Sequence, residues 1–266
     1  YTSAALSFML KDLSIPVVLV GSQRSSDRPS SDAPLNLINA ATVATSNIAE
    51  VMVVMLGSTS HDYGLIHKGT LVRKMHTSYR NTFRTIDDIP MGMVQNRKIK
   101  MFTEDYNKTN DRKTKALTGF EEQIGLVYSY PGLTGDELEY YIEEGYKGIV
   151  LAGTGLGHVS TRVYDAIERA IEQNIIVLMT SQPLHGFTRM NVYSTGRELL
   201  ELGVIPGHNM IPEVGYVKLG WVLGQTNDLK EAEELLMTNI AGELLPREKP
   251  IAFNYDIDSL LRNNEL

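Results

Sequence analysis

The 266 residues predict an α/β protein organised as two domains. Three observations carry this. Short β-branched apolar runs end at glycine or in polar loops, as the buried strands of α/β proteins do. The second half alternates strand-like and helix-like segments at lengths that suit a parallel sheet with right-handed crossovers. Between the halves, Thr103 to Glu121 loses its apolar character and reads as an exposed, mobile linker. The expected partition is residues 1–102, a linker at 103–121 and a second domain at 122–266.

Taken in order, Tyr1 to Leu10 is the body of an amphipathic helix with no cap ahead of it, so further sequence is expected upstream. Pro16 to Val20 is a short buried strand, and the polar loop Gly21 to Ser31 leaves its carboxyl end. That is where α/β folds hold ligands, although a solvated connector has the same composition. Asp32 is expected to cap the next helix, with Pro34 in its first turn and Leu37, Ile38, Ala41, Val43 and Ala44 on its buried face. Val51 to Leu56 is a second buried strand. Gly64 and Lys68-Gly69 mark hairpin turns, and Lys98 to Phe102 is a further strand.

In the second half, strands at Ile124–Tyr128, Gly148–Ala152 and Ile175–Met179 alternate with helices at Gly135–Glu144 and Thr161–Gln173. Helices at Pro212–Leu223, which carries the single tryptophan, and Leu229–Ile240 close the fold. Residues after Pro246 have no evident core role and read as a flexible or partner-docking tail.

Composition narrows the chemistry. With 42% hydrophobic and 21% charged residues, the chain has ordinary globular proportions. It shows no apolar run of membrane length and no signal peptide, so the cytoplasm is the expected location. A formal charge of −7 argues against this chain alone gripping a nucleic-acid backbone. The absence of cysteine removes thiol nucleophiles, disulfides and thiolate metal sites. Hydroxyl, amine and carboxylate chemistry remains.

Within that chemistry, His67 to Thr85 stands out. Lys74 lies beside a second cation, Arg73, and ahead of Met75-His76-Thr77-Ser78. A neighbouring cation and partial desolvation both disfavour a charged ammonium, which suits a proton-transfer lysine; a solvated cationic loop fits the same residues. Gly153-Thr154-Gly155-Leu156-Gly157 invites a dinucleotide reading, but its spacing is G-x-G-x-G and no acidic residue closes the next strand. A tight turn is the alternative. The histidines show no metal-ligand spacing, and neither G-x-S-x-G nor S-x-x-K is present.

Val20-Gly21-Ser22-Gln23-Arg24, the Asp32 to Leu37 run, Val72 to Ser78 and Gly153 to His158 together resemble the bacterial-type L-asparaginase family. The resemblance covers nearly the whole chain. Asn191 to Leu200, Trp221 to Thr226 and Thr238 to Glu243 resemble a branch found in archaeal tRNA-dependent amidotransferases. The fold this implies is the two-domain asparaginase-like α/β fold, each domain with a largely parallel sheet flanked by helices. The implied reaction is hydrolysis of a glutamine or asparagine side-chain amide by an attacking threonine, assisted by a second threonine, an aspartate and a lysine. Only the lysine maps here, onto Lys74. Backbone contacts to the substrate amide map onto Ser22 and Gln23, and Asn191 lies near where the family supplies a residue from a neighbouring subunit.

The T-G-G-T and H-G-T-D-T motifs of the family are absent from the sequence, as is the amino-terminal barrel of the branch. Either a segment of a longer enzyme or a truncated, non-catalytic scaffold is therefore expected, and this segment alone should be inactive. For the longer enzyme, the resemblance implies a homodimer without a cofactor or metal on this chain. Ammonia would pass to a second subunit that holds Glu-tRNA(Gln) and uses ATP and Mg. A free-standing L-asparaginase is the alternative.

Overall fold

The structure, a computed structural model, describes residues 1–263 of the chain. In chain order the first elements are α1 (Thr2–Met9), β1 (Leu10–Lys11), β2 (Val17–Leu19), α2 (Ala33–Ala44), β3 (Val51–Leu56) and β4 (Gly64–Lys68). There follow β5 (Val72–Lys74), β6 (Phe83–Thr85), β7 (Gly92–Gln95), β8 (Lys98–Met101) and β9 (Lys115–Ala116). The second half contributes β10 (Ile124–Tyr128), α3 (Asp136–Glu143), β11 (Gly148–Gly153), a 3-10 turn at Thr161–Val163 and α4 (Tyr164–Glu172). The remaining elements are β12 (Ile176–Ser181), α5 (Ser194–Leu202), β13 (Ile205–Pro206), α6 (Pro212–Leu223), α7 (Leu229–Met237), α8 (Pro250–Phe253) and α9 (Ile257–Asn263).

Two compact units result. Ser3–Met9 and Leu117–Pro246 form one; Leu10–Ala116 and residues 247–263 form the other. The chain passes from one to the other between Ala116 and Leu117, inside the stretch read as a linker. Residues 103–116 are hydrogen-bonded to their own unit: Ile48 bridges Lys108, the Ala49 N–H donates to Asn107 O (2.8 Å), and Glu50 accepts both the backbone and side-chain N–H groups of Asn107 (2.9 Å each). The polar composition marks an exposed face here rather than a loose segment.

The Leu117–Pro246 unit holds a four-stranded sheet in the order β10-β11-β12-β13, parallel at every pairing, as the strand and helix alternation predicts. Its core combines Val127, Ile149, Leu151, Val177 and Met179 with Leu138, Ile142, Ile167 and Leu199. Helix α6 is buried on nearly every side. Trp221 stacks on Phe8 with ring centroids 6.0 Å apart, and its indole N–H donates to Leu117 O (3.0 Å).

A second device closes this unit. Lys218 and Glu243 are both 0% exposed and form an ion pair at 2.6 Å. Lys218 Nζ also donates to Leu236 O (2.8 Å) and Thr238 O (2.7 Å), carbonyls left open where α7 ends. Glu243 accepts from the N–H groups of Ile240 and Ala241. Burial of both charges is tolerated because their remaining donors and acceptors are filled.

The other unit differs from expectation. Its five-stranded sheet, β2-β3-β4-β7-β8, is mixed: β2 and β3 are parallel, whereas β3-β4, β4-β7 and β7-β8 are antiparallel. Tight connections produce this, because a hairpin cannot supply the long crossover that a parallel pair needs. Strands β5 and β6 form a separate hairpin. The hairpin leans on His67 of β4, which is fully buried and hydrogen-bonded through Nδ1 to Thr85 Oγ1 at 2.8 Å.

Two further expectations are corrected. The buried face of α2 is Asn36, Asn39, Ala40 and Val43, while Leu37 is 63% and Ile38 41% exposed. Asn36 turns inward because the backbone beneath it offers an acceptor at Gly21 O and a donor at Leu56 N–H. Residues 247–263 are not a free tail: Ile257 and Leu260 pack with Leu65, Met93 and Phe102, and Lys249 pairs with Asp88 at 2.6 Å; the last three positions of that expected tail lie outside the described residues.

Two outcomes follow for the intact protein. Lys218→Met should lower unfolding free energy in urea by about 3–5 kcal/mol, because it strands a buried carboxylate; a loss below about 1 kcal/mol would make the pair dispensable. Burial, reinforced by the charge of Arg84, pushes the His67 imidazole from 6.5 down to about 3. Because the unfolded chain takes up that proton first, stability should fall as pH drops from 6.5 towards 3, by up to about 1.4 kcal/mol per pH unit. His67→Gln should flatten denaturation midpoints across that window.

Candidate active-site loops

Gly21 and Leu56 lie at the carboxyl ends of β2 and β3, neighbouring parallel strands, where α/β folds place ligands. The Gly21 loop is shaped from beneath. Asp32 has the position of a helix N-cap, and its backbone carbonyl accepts the Asn36 N–H (3.0 Å), yet its carboxylate makes no cap bond. It turns back instead and accepts the N–H groups of Gln23 (3.1 and 3.0 Å) and Arg24 (2.8 Å). Asn36 Nδ2 donates to Asp32 Oδ2 (2.8 Å) and Gly21 O (3.0 Å), while its Oδ1 accepts from Leu56 N–H (3.0 Å).

Asp32 and Asn36 are both 0% exposed. Burial opposes ionisation of Asp32. The backbone N–H groups of Gln23, Arg24 and Asp32 itself, with the Asn36 amide, outweigh it and hold the carboxyl below its ordinary range. The expectation of a side-chain cap is therefore corrected: the carboxylate serves the preceding loop, not the helix.

Lys74 is the last residue of β5, opposite Phe83, and its side chain is exposed. The desolvation invoked from sequence is not met within these residues, and Arg73 follows the strand alternation to the other face. The turn beyond Lys74 is well ordered by its own groups. Thr82 Oγ1 accepts from His76 N–H (2.7 Å) and donates to His76 O, and His76 Nδ1 accepts from Ser78 N–H (3.1 Å) and Tyr79 N–H (3.2 Å). Arg80 Nη2 donates to Ser30 O at 2.6 Å. That bond joins the Lys74 turn to the loop carrying Ser22 and Gln23.

In the Leu117–Pro246 unit, the G-x-G-x-G segment is a tight turn. Thr154 N–H donates to His158 O (2.8 Å), and the N–H groups of Gly157 and His158 return to Thr154 O. Gly155 and Gly157 take left-handed φ values of 54° and 96°. These bonds are those of an ordinary tight turn, the alternative the spacing left open. Asn191 lies in the other unit from Lys74, at an exposed position before α5. The roles of Asp32, Asn36 and Arg80 escaped the sequence; D-x-x-x-N at a helix start puts both side chains on one face, but does not show that the pair looks backward.

Comparison with known proteins places these loops in context. The family description "Asparaginase, N-terminal" matches residues 1–107, and "Glutaminase/Asparaginase C-terminal domain" matches residues 123–236. A Thermococcus kodakarensis protein named as a glutamyl-tRNA(Gln) amidotransferase subunit is 56% identical over 92% of this chain and 56% of its own length. One of the same name from Methanobrevibacter smithii is 52% identical over 91% and 56%, so the chain spans little more than half of these relatives. The thermostable L-asparaginase from Thermococcus kodakarensis superposes with a TM-score of 0.84 at 32% identity, covering 93% of this chain and 73% of that one. L-asparaginase I of Vibrio cholerae, at 24% identity and a TM-score of 0.79, shares the fold; the match covers 92% of this chain and 72% of that one. Matched along both halves of its sequence and over most of a related L-asparaginase, the chain belongs to the glutaminase/asparaginase family.

Proposed function

We propose that this chain is part of a glutamine amide hydrolase that releases ammonia for converting Glu-tRNA(Gln) to Gln-tRNA(Gln). The observation that carries the reading is its identity of 56% and 52%, over more than nine-tenths of its sequence, to proteins named as one and the same subunit of that amidotransferase. A free-standing L-asparaginase is the second reading, favoured by the fold match at 32% identity.

In this mechanism a threonine hydroxyl, supplied by sequence outside these residues, attacks the side-chain carboxamide. Ammonia leaves, and water then releases the acid from the threonine ester. Lys74 assists proton transfer at the hydroxyl. Its exposure within this chain leaves the ammonium accessible to groups the remaining sequence would bring, and desolvation would come with them. Backbone N–H groups stabilise the negative charge on the attacked carbonyl oxygen, and the Ser22 loop supplies backbone contact to the substrate amide. A second subunit holds the tRNA and uses ATP and Mg; the charge of −7 on this chain agrees with that division. The working form is a cytoplasmic homodimer joined to that subunit.

Lys74→Met in the full-length protein with its partner should cut ammonia release about 10²- to 10⁴-fold without shifting the melting temperature. Near-normal release would refute the assignment. Co-purification separates the two readings: a stable complex with a tRNA-binding subunit marks the amidotransferase, a lone oligomer the asparaginase.

A further inference from the structure

The Ser22 loop owes its shape to two side chains that have no access to solvent. Within it, Gly21 O is taken by Asn36 Nδ2, and the N–H groups of Gln23 and Arg24 are taken by Asp32. Ser22 is exposed and holds no hydrogen bond among the described residues. The geometry points to Asp32 and Asn36 as a positioning pair that holds the open Ser22 peptide for the substrate carboxamide. This rests on the amide-hydrolysing function proposed above and narrows it: Gln23 N–H is already committed to the protein.

The pair is built for that task. A free loop of this composition would spread its N–H groups over many orientations, and fixing one costs conformational entropy at each turnover. Asp32 fixes two consecutive peptides at once. Asn36 engages each of its polar atoms, and through Leu56 N–H it ties the loop to the end of β3. A shift at either residue therefore moves the Ser22 peptide. A misplacement of about 1 Å is enough to cost about 10²-fold in rate. Neither side chain can touch substrate itself, since both are fully buried.

The test uses the full-length protein with its partner subunit, glutamine as substrate, and Asn36→Asp and Asp32→Asn, both close to isosteric. In Asn36→Asp a second carboxyl stands where the amide now lies 2.8 Å from Asp32. The two must share a proton, and the protonated form replaces the lost donor. Counted per folded enzyme by circular dichroism at each pH, kcat should fall about tenfold or more between pH 6 and pH 8 relative to native enzyme, with KM little changed. Asp32→Asn keeps one acceptor oxygen, so its kcat should lie between those of native enzyme and Asp32→Ala. A merely structural role would lower the folded fraction and leave kcat per folded enzyme unmoved. If Asn36→Asp does not fold, the Asp32→Asn comparison decides. Native-like kcat per folded enzyme in the variants would overturn the positioning pair alone. Native complex that releases no ammonia from glutamine would overturn the function beneath it.

Discussion

A carboxylate without access to water, that of Asp32, governs the loop at the ends of the parallel strands. Such a group is tolerated only when its oxygens are fully engaged, and here the partners are backbone N–H groups on one side and Asn36 on the other. The loop cannot relax without exposing a buried charge to an apolar surrounding. Its rigidity thus follows from solvation, and so does the inward turn of Asn36 and the outward turn of Leu37 and Ile38 on α2. One electrostatic demand sets both the conformation of the loop and the facing of the helix.

The same rule recurs in the other unit with opposite connectivity. Lys218 reaches the open carbonyls where α7 ends, and Glu243 gathers the N–H groups of the following turn. Asn209 completes this, donating to Glu243 O (2.9 Å) and accepting from Leu245 N–H (2.9 Å). A segment with few apolar side chains is held as firmly as a strand because its peptides have fixed partners. The Thr238–Glu243 run, singled out from sequence as a subfamily feature, is explained by this closure.

Much of the fold is written in hydrophobic periodicity. The parallel sheet was readable because Ile124–Tyr128, Gly148–Gly153 and Ile176–Ser181 are short apolar runs separated by helices with a clear apolar face. The stretch Pro212–Leu223 shows as a helix through its length and its proline in the first turn. Periodicity misleads where polar groups face inward, as in α2, and where few apolar anchors do much, as at Ile257 and Leu260. The site was legible only in part for the same reason. Lys74 and the Ser22 loop could be matched by motif, whereas the link from Arg80 to Ser30 spans fifty positions and leaves no local trace.

Family motifs are often read as rosters of groups that meet the substrate. The D-A-P-L-N run argues for a different division of labour, because its two polar side chains are sealed beneath the loop and act through peptides they do not own. Under the proposed function, a substitution there would act on catalysis by moving a backbone N–H, which no roster of contacting side chains would include. What such a motif maintains is the direction of a peptide bond.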